Sequence, residues 1–110
     1  MVSTGCRLNG GGYVTLDSKN YNFQGQSEIS FKFKTKQKEG LLFLAAKDAA
    51  YLSVELRNGK VLYQFNLGAG AAQILSSKTY NDNQWHHVEA VRQGRDGVLK
   101  LMHLSKVVHL

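Results

Sequence analysis

Lys32, Lys34, Lys36 and Lys38 stand at every second position of the stretch from Glu28 to Lys38. Ile29, Phe31 and Phe33 occupy the alternate positions. A strand lines up such a set, cations on one side and apolar groups on the other, whereas a helix scatters it around its circumference. Side chains two apart on a strand face are ~6.8 Å apart, so four ammonium groups form a row about 20 Å long. Each neighbouring pair repels by roughly 0.6 kcal/mol in water before salt screening. Neighbours lie within the ~8 Å screening length of physiological salt, so the row acts as a stripe of charge. A polyanion laid along it relieves that repulsion and releases condensed counterions, and the formal charge of +6 agrees with such a partner. The same row also suits a solvated face, or an edge strand that lysine protects from other strands. A sulfated polysaccharide fits better than nucleic acid. Base stacking calls for aromatics among the lysines, and Phe31 and Phe33 fall on the opposite face.

Other reactive residues do not assemble into a catalytic pattern. There is no Gly-x-Ser-x-Gly elbow, no His-Glu-x-x-His and no phosphate loop. Gly68-Ala69-Gly70 reads as a turn, because Gln73 stands where a dinucleotide fingerprint needs its third glycine. Cys6 is the single cysteine, which excludes an internal disulfide and a multi-cysteine zinc site. It reads as a thiol in a loose N-terminal segment, or as half of a bridge to another chain or to a missing segment. His86 and His103 come near each other on a predicted hairpin, but a metal site needs three or four ligands and no third suggests itself. They read as a histidine pair at the edge of the core, with His87 at the surface and His109 near the chain end. No metal site and no enzyme activity are expected.

The elements that position these residues follow from composition and alternation. A chain of 110 residues is one domain, able to bury roughly two-thirds of its unfolded surface. Hydrophobic residues make up 43% and charged ones 20%, which excludes a disordered tail. No apolar stretch reaches the ~18 residues needed to span a bilayer, and no charged-then-apolar leader follows Met1. With eleven glycines and no proline, turns rely on Gly and Asn. Tyr13–Leu16 reads as a short strand and Asp17–Gln26 as a polar turn region anchored by Tyr21 and Phe23. Leu41–Ala45 reads as a strand and Lys47–Ala50 as a loop. Asn58-Gly59 is the preferred pair for a two-residue type I′ turn. Folding there sets Leu56 opposite Val61, Val54 opposite Tyr63 and Leu52 opposite Phe65, all on one face, with Leu62 the exception on the other. Ala71–Ser77 reads as another short strand. A second hairpin from Trp85 to His103 turns at Gly94–Gly97 and sets Arg92 opposite Leu99, Ala90 opposite Leu101 and Val88 opposite His103. Many short strands with Gly/Asn turns predict an all-β sandwich or barrel.

Taken in order, several blocks resemble one family. They are Gly12-Tyr13-Val14, Ile29-Ser30-Phe31-Lys32-Phe33-Lys34-Thr35, Gly40-Leu41-Leu42-Phe43, Val54-Glu55-Leu56-Arg57-Asn58-Gly59, Asn83-Gln84-Trp85-His86, and Val91-Arg92 followed by a Gly-turn and Leu99. The pattern resembles a laminin G-like domain, most like those of laminin α chains, over about Gly10 to Leu101. The resemblance implies an antiparallel concanavalin-like jelly-roll sandwich and a non-enzymatic adhesion module of the extracellular matrix. It implies partners such as heparan sulfate, integrins, dystroglycan glycans or sulfated lipids, and makes Lys32, Lys34, Lys36 and Lys38 the candidate glycan-binding residues.

Two departures from the family pattern shape the expectations. The family commonly places a calcium-ligating acid just before the strand that starts here at Tyr51; that position is Ala50, and Asp48 is two residues early. Calcium wants six to eight oxygen ligands, so weak or no calcium binding is expected. The family pattern also continues through further strands, whereas Met102–Leu110 departs from it. The expected layout is a flexible segment 1–9, a partial laminin G-like domain 10–103 and a divergent tail 104–110. An incomplete sheet leaves edges open for self-association. The location implied is extracellular, by the resemblance alone.

Overall fold

The computed structural model describes the backbone of residues 4–7, 11–21, 26–66, 71–93 and 96–103, and the side chains of 11–17, 26–66, 71–93 and 96–102. Its strands are β1 (Thr4–Arg7), β2 (Tyr13–Tyr21), β3 (Gln26–Lys34), β4 (Gly40–Lys47), β5 (Ala50–Arg57), β6 (Lys60–Asn66), β7 (Ala71–Thr79), β8 (His86–Gln93) and β9 (Asp96–His103). They form a five-stranded sheet in the order β1-β2-β3-β8-β9 and a four-stranded sheet in the order β4-β5-β6-β7. Every pairing is antiparallel. The expected all-β sandwich is borne out, and among the described residues there is no helix.

The core lies between the inward faces of the sheets. Ile29, Phe31 and Phe33 of β3 and Val88 and Ala90 of β8 meet Leu52, Val54, Leu56, Val61, Tyr63 and Phe65 of β5 and β6. Phe31 stacks on Phe43 of β4, ring centroids 6.5 Å apart and planes 16° from parallel. Each fully buried side chain of this size contributes roughly 1.5–3 kcal/mol. The β5–β6 register is the one that alternation predicts: Leu56 faces Val61, Val54 faces Tyr63 and Leu52 faces Phe65. Asn58 and Gly59 both have positive φ, 53° and 81°, as the type I′ turn requires.

Several local expectations need correction. Thr4–Arg7, within the segment expected to be flexible, pairs with β2, Cys6 facing Val14. The polar stretch after Leu16 is a strand as far as Tyr21, not a turn region, because its backbone pairs with β3 across a bulge between Leu16 and Ser18. β4 runs on to Lys47, and Asp48-Ala49 alone makes the turn, with Lys47 facing Ala50. The β8–β9 pairing is offset by two residues from the predicted one. Arg92 faces Gly97, Ala90 faces Leu99, Val88 faces Leu101 and His86 faces His103. A two-residue offset keeps every side chain on its face, so alternation cannot detect it. Phe23, the Gly68–Gly70 turn, His109 and the tail 104–110 lie outside the described residues.

Candidate functional site

The lysine row divides at Lys34. β3 ends there, so Lys32 and Lys34 project from the outer face of the five-stranded sheet, while Lys36 and Lys38 belong to the connection from β3 to β4. The four ammonium groups are therefore not one 20 Å row. β3 is also a central strand, between β2 and β8, so edge protection does not account for its lysines. Lys32 Nζ lies 3.4 Å from Asp17 Oδ1, and the adjacent outer face holds further partners: Ser30 Oγ is 2.7 Å from His87 Nε2. The sequence reading missed Asp17 as a partner because the bulge in β2 decides where it points. Phe31 and Phe33 are fully buried, as the alternation predicts.

The connection after Lys34 is held from several sides. Thr35 is fully buried; its hydroxyl donates to the Gly11 carbonyl (2.9 Å) and accepts from the Gln37 amide (3.0 Å). Gly12, at φ +108°, lies so close to the Lys34 carbonyl and the Thr35 side chain that a Cβ would collide with them. The Asn83 amide donates to the Thr35 carbonyl (2.8 Å), and the Gly59 amide to the Lys38 carbonyl (2.9 Å). The Tyr80 amide donates to the Gly59 carbonyl at 2.7 Å. The Asn58 amide donates to Glu39 Oε1 at 3.0 Å. Three connections, β3–β4, β5–β6 and β7–β8, thus interlock at one end of the sandwich. Lys36 and Lys38 are exposed there. Lys60 begins β6 immediately after the Gly59 turn and faces Thr79, next to exposed Lys78.

The base of this end is an acid–imidazole clasp. His86 Nε2 lies 2.7 Å from Asp82 Oδ1. The His86 ring is buried, 5.6 Å from Phe33 and edge-on to Tyr80 at 5.0 Å. Desolvation alone pushes the Asp82 carboxyl up. The hydrogen bond and charge of His86, with the Gln84 amide, outweigh it and hold the group below its usual value. The ionised carboxylate accepts, so Nε2 carries the proton. His86 and His103 face each other directly in the ladder, and Asp82 is the partner that sequence reasoning missed. A D-x-x-x-H spacing before a strand is the only signal it leaves.

β5 separates this end from the β4–β5 turn, which therefore lies at the opposite end. Asp48 sits exposed on that turn at φ 55°, and Ala50 begins β5. Among the described residues no three His, Cys, Asp or Glu side chains gather as metal ligands. Asp48 by itself does not fit the oxygen shell calcium requires.

Comparison with known proteins points to the laminin G domains of matrix and adhesion proteins. A family model described as Laminin G domain matches residues 33–108, reaching into the segment expected to diverge. The chain is 42% identical over 101 residues to the laminin subunit alpha of Drosophila melanogaster, covering 89% of this chain and 3% of that protein. It is 33% identical over 96 residues to human (Homo sapiens) pikachurin, covering 80% of this chain and 9% of that protein. The crystal structure of the LG1-3 region of the laminin alpha2 chain superposes with a TM-score of 0.74 at 26% identity, over 94% of this chain and 21% of that one. The chain thus spans a small fraction of the length of the relatives it matches.

Proposed function

The chain belongs to the laminin G domain family, a non-enzymatic module of matrix and adhesion proteins, and on that premise we propose that it acts outside the cell by binding an anionic glycan of the heparan sulfate type. The observation that carries this reading is the set of exposed lysines on a fixed scaffold. Lys36 and Lys38 project from a connection whose backbone is tied to Thr35, Gly59 and Asn83. Lys34 stands at the strand end that feeds it. A backbone already tethered has less conformational freedom to lose when an anion binds. Lys32 contributes less than its neighbours, since Asp17 already shares its charge.

A salt gradient on immobilised heparin tests the proposal. The chain is expected to elute above physiological salt, and Lys34→Ala, Lys36→Ala and Lys38→Ala to elute earlier. Elution of the unaltered chain at or below physiological salt, with receptor capture insensitive to added heparin, would instead favour a loop-mediated protein contact, to an integrin for example.

A further inference from the structure

We infer that the polyanion surface is the interlocked end of the sandwich and that it crosses from one sheet to the other, with Lys60 and Lys78 completing the arc begun by Lys34, Lys36 and Lys38. This rests on the glycan-binding reading and adds its location and its second half. The Lys38 carbonyl accepts from the Gly59 amide at 2.9 Å, so the backbone carrying Lys38 touches the residue before Lys60. Lys60 in turn faces Thr79 across the β6–β7 ladder, and Lys78 precedes Thr79. Partners in an antiparallel ladder have Cα atoms about 4.5–5.5 Å apart. The five lysines therefore follow one another around the rim by steps of one or two residues or one hydrogen bond.

The nearby carboxylates keep their charge, but none of those described lies within ion-pair distance of these lysines. Glu39 accepts from the Asn58 amide, Asp82 pairs with His86, and Glu55 holds Arg57 at 2.7 Å. Among the described residues, Lys34, Lys36, Lys38, Lys60 and Lys78 have no ion-pair partner, in contrast to Lys32. Five cations outside any ion pair, Lys36 and Lys38 on the β3–β4 connection and Lys34, Lys60 and Lys78 at adjoining strand ends, outnumber the carboxylates there and leave a positive potential.

The shape of the array selects the ligand. Sheets in a sandwich pack about 10 Å apart, so an anion touching both Lys34 of the five-stranded sheet and Lys78 of the four-stranded sheet must reach across that spacing. A single phosphate or carboxylate cannot do so. A linear chain bearing anions at regular intervals can, which points to a sulfated glycan strand lying over the end rather than along the face of β3.

Titration of heparin oligosaccharide into the chain at several salt concentrations tests this. The double variant Lys60→Ala/Lys78→Ala is expected to bind about tenfold more weakly. Its slope of log K against log salt should be shallower by about 1.4–1.8, taking 0.7–0.9 per lost cation from nucleic-acid polyanions. Lys60→Arg/Lys78→Arg should retain both, and Lys32→Ala should stay within twofold of the unaltered chain. If Lys60→Ala/Lys78→Ala keeps affinity and slope while Lys36→Ala/Lys38→Ala loses them, the two-sheet surface is wrong and glycan binding stands. If the unaltered chain shows no salt-dependent binding, both fall. Tighter binding of polyglutamate than of heparin overturns the choice of ligand.

Discussion

Replacing Gly59 by alanine strikes the point where the β3–β4, β5–β6 and β7–β8 connections meet. Its φ is +81°, a conformation that costs an L-residue roughly 1–2 kcal/mol. An added Cβ would lie 2.5 Å from Asn81 Oδ1 and 3.3 Å from Thr79 Cβ. Asn81 must therefore move, giving up its long 3.4 Å bond to the Lys36 carbonyl, which is worth about 0.5 kcal/mol. Together these predict a loss of about 1.5–2.5 kcal/mol. Gly40 supplies the control: it lacks a positive φ and an added Cβ meets nothing within 4 Å. Gly40→Ala should be neutral or stabilising by about 0.4–1 kcal/mol, through lost freedom of the unfolded chain. In urea, with a slope of about 1–3 kcal/mol per molar, the Gly59→Ala midpoint should fall by about 0.5–2.5 M while that of Gly40→Ala holds or rises. Midpoints for the two variants that agree within the error of the measurement would refute the claim that the end is assembled around bare backbone at Gly59.

Tyr63 is fully buried, and its hydroxyl has no hydrogen-bond partner among the described residues. Burial pushes it up to about 12, although the Arg92 charge pulls the other way. Tyr63→Phe should therefore stabilise the fold by about 1 kcal/mol; a clear loss in urea melts would reveal a partner. The Asp82 carboxyl is held below its ordinary 3.8, so the unfolded chain takes up its proton first. The stability this contributes is complete above pH 3.8 and disappears as pH falls through the lower folded value. Urea midpoints should thus drop more steeply between pH 5 and pH 3 in the unaltered chain than in Asp82→Asn, and equal drops would remove the clasp from the account. Phe31→Ala empties a fully buried site and should cost about 3–5 kcal/mol, a large part of the total for a domain of this size; near-native circular dichroism and melting would contradict the core assignment. Calorimetric titration should detect no micromolar calcium binding, because the turn at Asp48 offers too few oxygens.

How far the fold is legible depends on which physical signal writes each element. The β5–β6 hairpin is legible because two independent signals agree: six apolar residues at period two, and an Asn-Gly pair that fixes the turn length. The β8–β9 hairpin has only the first. Its Gly94–Gly97 region allows turns of different length, and a slip of two leaves the buried set unchanged, so faces are read correctly and partners are not. The second half of β2 has neither signal. Asp17–Tyr21 is strand because β3 offers it backbone partners, a long-range cause that side-chain patterning does not record.

The candidate site shows the same division between parity and position. Alternation continues past Lys34, since Thr35 is buried and Lys36 exposed, but it carries no information about where the ladder hydrogen bonds stop. They stop at Lys34 because the Thr35 carbonyl turns to the Asn83 amide and its hydroxyl to Gly11 and Gln37. That change takes Lys36 and Lys38 off the sheet and onto the end of the sandwich. There they meet Lys60 and Lys78, which are 24 and 42 positions from Lys36 in the sequence and belong to no run of charge. A stripe read along one strand becomes an arc assembled from the β3–β4 connection and the adjoining ends of β3, β6 and β7. A polyanion that follows the arc meets cations from both sheets, whereas one that follows β3 meets Lys32 already paired with Asp17. Where the charge lies thus depends on which backbone groups the buried threonine claims.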